Sequence, residues 1–331
     1  MKLSKMVLPL CSFAFAASNG FGENIKIDHH WSLLTEWIYM TQRAGINSKL
    51  VADTSKYSSD SYATAIGSKD LVDHFGFVQG GRVGLSYTTN HKYSYESRFM
   101  YLTPWFESQT LHKPSSLIFP FDYLPFTQDF YVSDNAKAYY KSQFYTFDIN
   151  YLRHSARRGV DYFVMSGVFG LRFYELHEKA GLKFFDDGFS NFAKINYRSK
   201  TLNDCIGMQG GFNFQMNPYD HFSFDCLALA GLGLNRAYAN VKLNQLLNTI
   251  ALKKYQKQHS QSSVFVDLEL KIGYQVVSSF NLHAGYQLFY FTGIAQAPNQ
   301  MSRKAYPFKN VLYKHSDVLL HGLMVGCNFD F

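Results

Sequence analysis

The chain has 331 residues and a formal net charge of +7, with only 17% of its side chains charged. Aromatics reach 18%, almost all Phe and Tyr, a load well beyond what a soluble core of this length uses. Mean hydropathy is −0.19, and beyond the N-terminal segment no apolar run of about 18 residues occurs, which excludes a helical membrane protein.

Lys2 and Lys5 precede a short apolar core at 6–15, and Ala14-Phe15-Ala16 has the small-x-small form of a cleavage site. Residues 1–16 therefore read as a signal peptide and 17–30 as a polar periplasmic lead-in, with the folded domain at 31–331. Lipidation at Cys11 is disfavoured, because Pro9 and Leu10 stand where small residues belong. Cleavage removes two lysines and one cysteine. The remaining Cys205, Cys226 and Cys327 are odd in number and read as small apolar residues. Without a CxxC motif, structural zinc is not expected, and the modest basic excess does not point to nucleic acid. The adjacent His29 and His30 would point to opposite faces of a strand, so no metal site is expected there.

Ten segments then show period-two alternation, the signature of strands with one greasy and one wet face. They are 31–41, 77–89, 93–103, 144–152, 163–175, 202–216, 222–234, 264–276, 280–294 and 318–331. The segment 264–276 is the cleanest. Val264, Val266, Leu268, Leu270, Ile272, Tyr274 and Val276 alternate with Asp267, Glu269, Lys271 and Gln275. The last segment, VLLHGLMVGCNFDF, puts Leu323, Val325, Phe329 and Phe331 on one face and stops on an aromatic residue. It resembles the C-terminal assembly signal of Gram-negative outer-membrane barrels.

Each segment has the length of a tilted strand crossing an outer membrane. Short polar connections alternate with long ones, and an even count returns both termini to one side. The expected fold is all-β: a transmembrane antiparallel up-and-down β-barrel of about ten strands, with a range of eight to twelve. A soluble sandwich would not need the leader, the terminal Phe or this aromatic content.

Several blocks carry a family likeness. GGRVGLSY, YTFDINYLRHSARR followed by VFGLRFYE, TLNDCIGMQGGFNF, VDLELKIGYQ and HGLMVGCNFDF resemble the Legionella-type major outer-membrane-protein-like family and related chlamydial and planctomycete barrels. The resemblance spans about residues 31–331. It implies a pore-forming or simply outer-membrane barrel and brings no residue-level active site.

Alternation assigns Glu36, Arg82, Glu96, Arg98, Asp148, Arg172, Asp267, Glu269 and Lys271 to the lumen. They would either line a polar pore in opposed rows or pair and hold a plugged interior rigid. The leading expectation is a narrow channel for small polar solutes. The alternative is a non-conducting structural or surface-interaction barrel. An enzyme is not expected. His177 with Glu178, Asp186-Asp187 and His283 are the only candidates, and no spacing links a nucleophile to a base.

Two connections stand out. In 242–258, Leu243, Leu246, Leu247 and Ile250 recur at helical spacing ahead of Lys253, Lys254 and Lys257. The expectation is a basic amphipathic helix on the outer leaflet, its lysines on lipopolysaccharide phosphates, joined there by Arg303 and Lys304. The apolar stretch 117–126 is expected to fold against the mouth or into the lumen. Expected partners are outer-membrane lipid, lipopolysaccharide and, through the last strand, the barrel-assembly machinery. No cofactor is expected, and the sequence leaves oligomeric state open.

Overall fold

The computed structural model describes residues 29–44, 48–58, 61–89, 92–118, 133–155, 163–185, 195–219, 221–245, 251–301, 312–313 and 315–331. Most of them lie in thirteen strands. These are β1 (His29–Ala44), β2 (Lys49–Ser58), β3 (Ser61–Gly67), β4 (Val78–Thr89), β5 (Tyr93–Leu102), β6 (Trp105–Ile118) and β7 (Ser133–His154), then β8 (Phe163–Phe185), β9 (Ile195–Tyr219), β10 (Phe222–Gln245), β11 (Ala251–Val277), β12 (Phe280–Ile294) and β13 (Ser316–Asp330). One short helix, α1 (Ser68–Asp73), follows β3.

Ten of these strands close a ring, β1-β4-β5-β7-β8-β9-β10-β11-β12-β13, and β13 pairs back onto β1. All its pairings are antiparallel. The ring has the expected strand number and the expected alternation. Trp37, Val83, Ile149, Phe169, Met208, Leu232, Ile272 and Val325 face outward, and Phe169 and Leu232 are each 69% exposed. An apolar belt this wide fits lipid and not water.

The strand ends Thr89 and Tyr93, His154 and Phe163, Tyr219 and Phe222, and Val277 and Phe280 lie at one end of the ring, with the start of β1 and the end of β13. We call this the turn end, and the opposite one the loop end. At the turn end Trp31 and Phe331 exchange both backbone hydrogen bonds, 2.9 and 2.8 Å. Leu323, Val325, Phe329 and Phe331 all sit on the lipid face, between 44% and 60% exposed. β1 already includes His29 and His30, two residues ahead of the expected start of the barrel.

Two stretches read as loops are ordered differently. Residues 105–118 form β6 and not part of an irregular connection. β5 and β6 are two limbs of one bent strand: β5 pairs with the second half of β7 and β6 with the first. Pro104 cannot donate to the ladder, and Thr103 turns its backbone and hydroxyl to the Gln79 carbonyl at the break. Residues 48–73 form the β2–β3 hairpin and α1, not a polar loop; β2 pairs with the tip of β6 through Ala52 and Asp53. Leu71 and Val72 of α1 are buried at the loop end.

The described residues of the expected helix at 242–258, namely 242–245 and 251–258, are strand. β10 runs through Lys242 and Leu243, and β11 starts at Ala251, so Lys253 and Lys254 are rungs of the β10–β11 ladder. A long neighbouring strand overrides a local helical spacing. Likewise β8 and β9 extend well past the belt into 176–200. The five strands β7–β11 run 22 to 27 residues, against 12 to 16 for β1, β4, β12 and β13. One flank of the wall is therefore much taller than the other. Residues 119–126 lie outside the described residues, while Leu117 and Ile118 are buried in β6.

Gly326 of β13 faces Glu36 of β1, and a Cβ there would collide with the Thr35 carbonyl and the Glu36 side chain. Gly326→Val should therefore pry open the closing seam. The expected cost is about 1–3 kcal/mol, seen as a lower refolded yield when folded and unfolded forms are separated on unheated gels.

Candidate functional site in the lumen

Inside the ring the strand alternation brings the expected charges to one level. Glu36 stands opposite Arg82 on the β1–β4 ladder, and Arg98, Asp148 and Arg172 are neighbours on one rung across β5, β7 and β8. Asp267, Glu269 and Lys271 come from β11, across the barrel. Glycines make room for these chains: Gly84 faces Arg98, Gly207 faces Arg172 and Gly285 faces Lys271.

All nine point inward, and they form a lattice and not two opposed rows. Arg172 grips Asp148 with two bonds, Nε to Oδ1 at 2.7 Å and Nη2 to Oδ2 at 2.8 Å, and reaches Asp267 at 2.6 Å. Arg82 spans Glu36 at 3.0 Å and Glu269 at 2.6 Å. Arg98 shares Glu269 at 3.2 Å and approaches Asp148 at 3.4 Å, with Glu96 at 3.7 Å on its outer side. Lys271 joins Glu36 and Glu269 at 2.8 and 3.2 Å. All but Glu96 and Lys271 are buried. Both charge signs are interleaved, so each carboxylate meets a donor without water.

Sequence reasoning missed two members. Gln287 of β12 donates to Asp267 and Glu269 at 2.8 and 3.0 Å and accepts from Arg82. His283, weighed in the sequence only as an enzyme candidate, places Nε2 2.8 Å from Glu36 Oε1. Both alternate on the inward face of β12 with Gly285 and Phe289, a signal hidden by the mild polarity of that face.

On the loop side of the lattice the lumen is apolar. Phe144, Tyr174, Phe265, Phe289 and Phe291 pack mostly tilted or edge-on with centroids 5.1 to 6.2 Å apart, all nearly fully buried. The Arg172 guanidinium lies over Phe289 at 4.9 Å and Phe265 at 5.6 Å, so the lattice rests on the aromatic plug. Farther out, Glu178 is completely buried and accepts from the Tyr140 hydroxyl and, at 2.9 Å, from the Ala297 amide. Within the lattice a cavity of about 10 Å³ lies beside Arg82, Arg98, Arg172 and Asp267. That is room for about one water. On the turn side a polar cavity of about 260 Å³ opens, lined among others by Ser32, Glu96, Asn213, Asp225, Lys271 and His283.

The remaining candidates stay apart. His177 points outward while its neighbour Glu178 points inward, and His283 belongs to the lattice, so the three do not assemble. Asp186 and Asp187 lie outside the described residues, as do Arg303 and Lys304. Lys257 is exposed on β11. No group of three or more metal-ligating side chains occurs among the described residues. Cys205 is buried, and Cys226 and Cys327 are half-buried; all three are free.

A closed antiparallel ring with an apolar outside and an ion-filled inside defines an outer-membrane β-barrel. The family described as Putative beta barrel porin-7 (BBP7) matches residues 135–331, and the chain belongs to it. Among solved structures, the outer membrane protease OmpT of Escherichia coli is similar at 8% identity and a TM-score of 0.53, over 94% of this chain and 99% of that one. Ail, the attachment invasion locus protein of Yersinia pestis, is 10% identical with a TM-score of 0.24, over 91% and 98% of the two chains. The translocator domain of the autotransporter NalP from Neisseria meningitidis is 7% identical with a TM-score of 0.35, over 91% and 88%. At such identities the OmpT likeness is one of fold. No curated protein matches the sequence.

Removing one member of the lattice strands its partners. Arg172→Met should destabilise the barrel by about 3–5 kcal/mol, because Asp148 and Asp267 are left buried without their cation. Urea unfolding in detergent micelles measures this, and adding Asp148→Asn and Asp267→Asn should restore more than half of the loss.

Proposed function

We propose that this protein is a bacterial outer-membrane barrel whose lumen is closed at rest, and which acts through its wall and loop-end surface. The observation that carries this reading is the continuous occlusion of the lumen. The buried ionic lattice spans it, and the aromatic plug backs it. Solute passage would require breaking several desolvated ion pairs at once. The turn end then faces the periplasm, the loop end faces outward, and residues 1–16 act as the export leader. The lipid-facing row Leu323, Val325, Phe329 and Phe331 supports recognition of β13 by the barrel-assembly machinery. The separation of His177, Glu178 and His283 supports a non-catalytic role.

A narrow porin-like channel is the second reading. The family description favours it, as does the polar cavity of about 260 Å³ on the turn side. The finer kinship with the Legionella-type major outer-membrane-protein-like barrels belongs with it, since those relatives are described as pore-forming.

Planar-bilayer recording separates the two. The refolded mature barrel should insert without discrete current steps in 1 M salt, a concentration of roughly 3 Å Debye length. Reproducible steps whose size scales with salt would establish the channel and overturn the closed reading.

A further inference from the structure

The outer face of the tall flank carries a charge pattern that neither the lumen nor the lipid belt explains. Beyond the belt, β7, β8, β9 and β10 align three successive outward rungs. They are Lys141–Lys179–Lys200–Asn240, then Tyr139–Gly181–Arg198–Lys242, then Lys137–Lys183–Asn196–Asn244. Seven of the twelve positions are cationic and none is acidic. The intervening residues Ala138, Tyr140, Ala180, Leu182, Ser199 and Val241 are buried, so the basic residues point away from the barrel.

Neighbouring strands lie about 4.8 Å apart, so Lys141, Lys179 and Lys200 start within about 10 Å of one another. No ion pair neutralises Lys137, Lys141, Lys179, Lys183, Lys200 or Lys242 among the described residues. Burial lowers the Lys179 ammonium, and Lys200 and Lys141 push it down further. Like charges held this close are destabilising on a sheet unless an anion joins them.

The position says which anion. The belt residues Phe147, Phe173, Ile206 and Leu234 form a rung on the same four strands. Lys141 lies six residues beyond Phe147, about 20 Å along the strand and less across a tilted wall. Tyr145 and Tyr238 stand between, as residues at a lipid–water boundary do. The rung next to the belt holds Glu175 and Asp204, with Arg236 opposite Asp204. The cations therefore begin at headgroup depth, continuous with the lipid-facing surface. The Tyr139 ring covers the bare backbone of Gly181 between these cations.

We propose that this face of β7–β10 is a binding site for the phosphate groups of an anionic glycolipid in the leaflet at the loop end. Lys141, Lys179, Lys200, Arg198 and Lys242 provide the charge-assisted hydrogen bonds, and the belt below holds the acyl chains. The site does not depend on whether the lumen conducts.

The test uses the folded barrel in detergent, titrated with bisphosphorylated lipid A and with the same lipid after phosphatase treatment. The wild type should prefer the phosphorylated lipid, and the preference should shrink as salt rises. A lysine at a charged surface is worth roughly fivefold. A quadruple variant, Lys141→Gln, Lys179→Gln, Lys200→Gln and Lys242→Gln, should therefore lose a hundredfold or more of that preference. The same four positions changed to Arg should keep it, as should Lys92→Gln with Arg153→Gln at the turn end. Equal binding of the two lipids by the wild type overturns the proposal. So does a folded quadruple Gln variant that retains the preference, or a turn-end variant that loses it.

Discussion

In hydrocarbon there is no water to take up an unpaired backbone amide, so a strand wall there must close on itself. Everything else in this molecule follows from the β1–β13 seam that closes it. Closure assigns alternate residues to lipid and to lumen, which is why Val325 and Leu323 face outward while Gly326 faces Glu36. It also fixes how narrow the interior is. Ten strands enclose a space that side chains nearly fill, so charges sent inward meet each other before they meet solvent.

The lattice is the response to that confinement. Arg82 on β4 and Arg172 on β8 both reach across to β11, binding opposite walls through Glu269 and Asp267. Gln287 takes the Asp267 oxygen that the cations leave over, and His283 joins Lys271 on Glu36 Oε1. The aromatic plug lowers the local dielectric beneath Arg172, which strengthens these pairs and raises the cost of disturbing any one of them. The vestibule on the turn side has the opposite character, being polar and open, so the lumen is asymmetric along its axis.

The alternation within the belt was legible because the contrast there is large. Strands such as 264–276 put aliphatics against carboxylates, and all nine lumen charges follow from that phase alone. Beyond the belt the contrast inverts. In β7, Lys137, Tyr139 and Lys141 face out while Ala136, Ala138 and Tyr140 face in. A reader looking for greasy-out, wet-in finds nothing and assigns a loop. The lysine rungs were invisible for the same reason: they exist only once four strands are placed side by side in register. Pro104 and Pro114 disguised β6, and the helical spacing of Leu243, Leu246, Leu247 and Ile250 disguised the top of β10. His283 and Gln287 were unreadable as lattice members because their partners lie on strands far away in the chain.

The uneven height of the wall has a further consequence. Within the membrane the sheet is a ring, but above β12 the described part of β11 has a neighbour on one side only. Pairing with β12 begins at Phe265, while Tyr255 to Ser260 pair with β10 alone among the described strands. Among the described strands, then, this part of β11 is a sheet margin. Such margins invite strands of other chains, and lysine is a common deterrent. Lys253, Lys254 and Lys257 fall along that margin. The leucine spacing that suggested a surface helix is, in register, the approach to this margin, and lysine is the residue type that suits it.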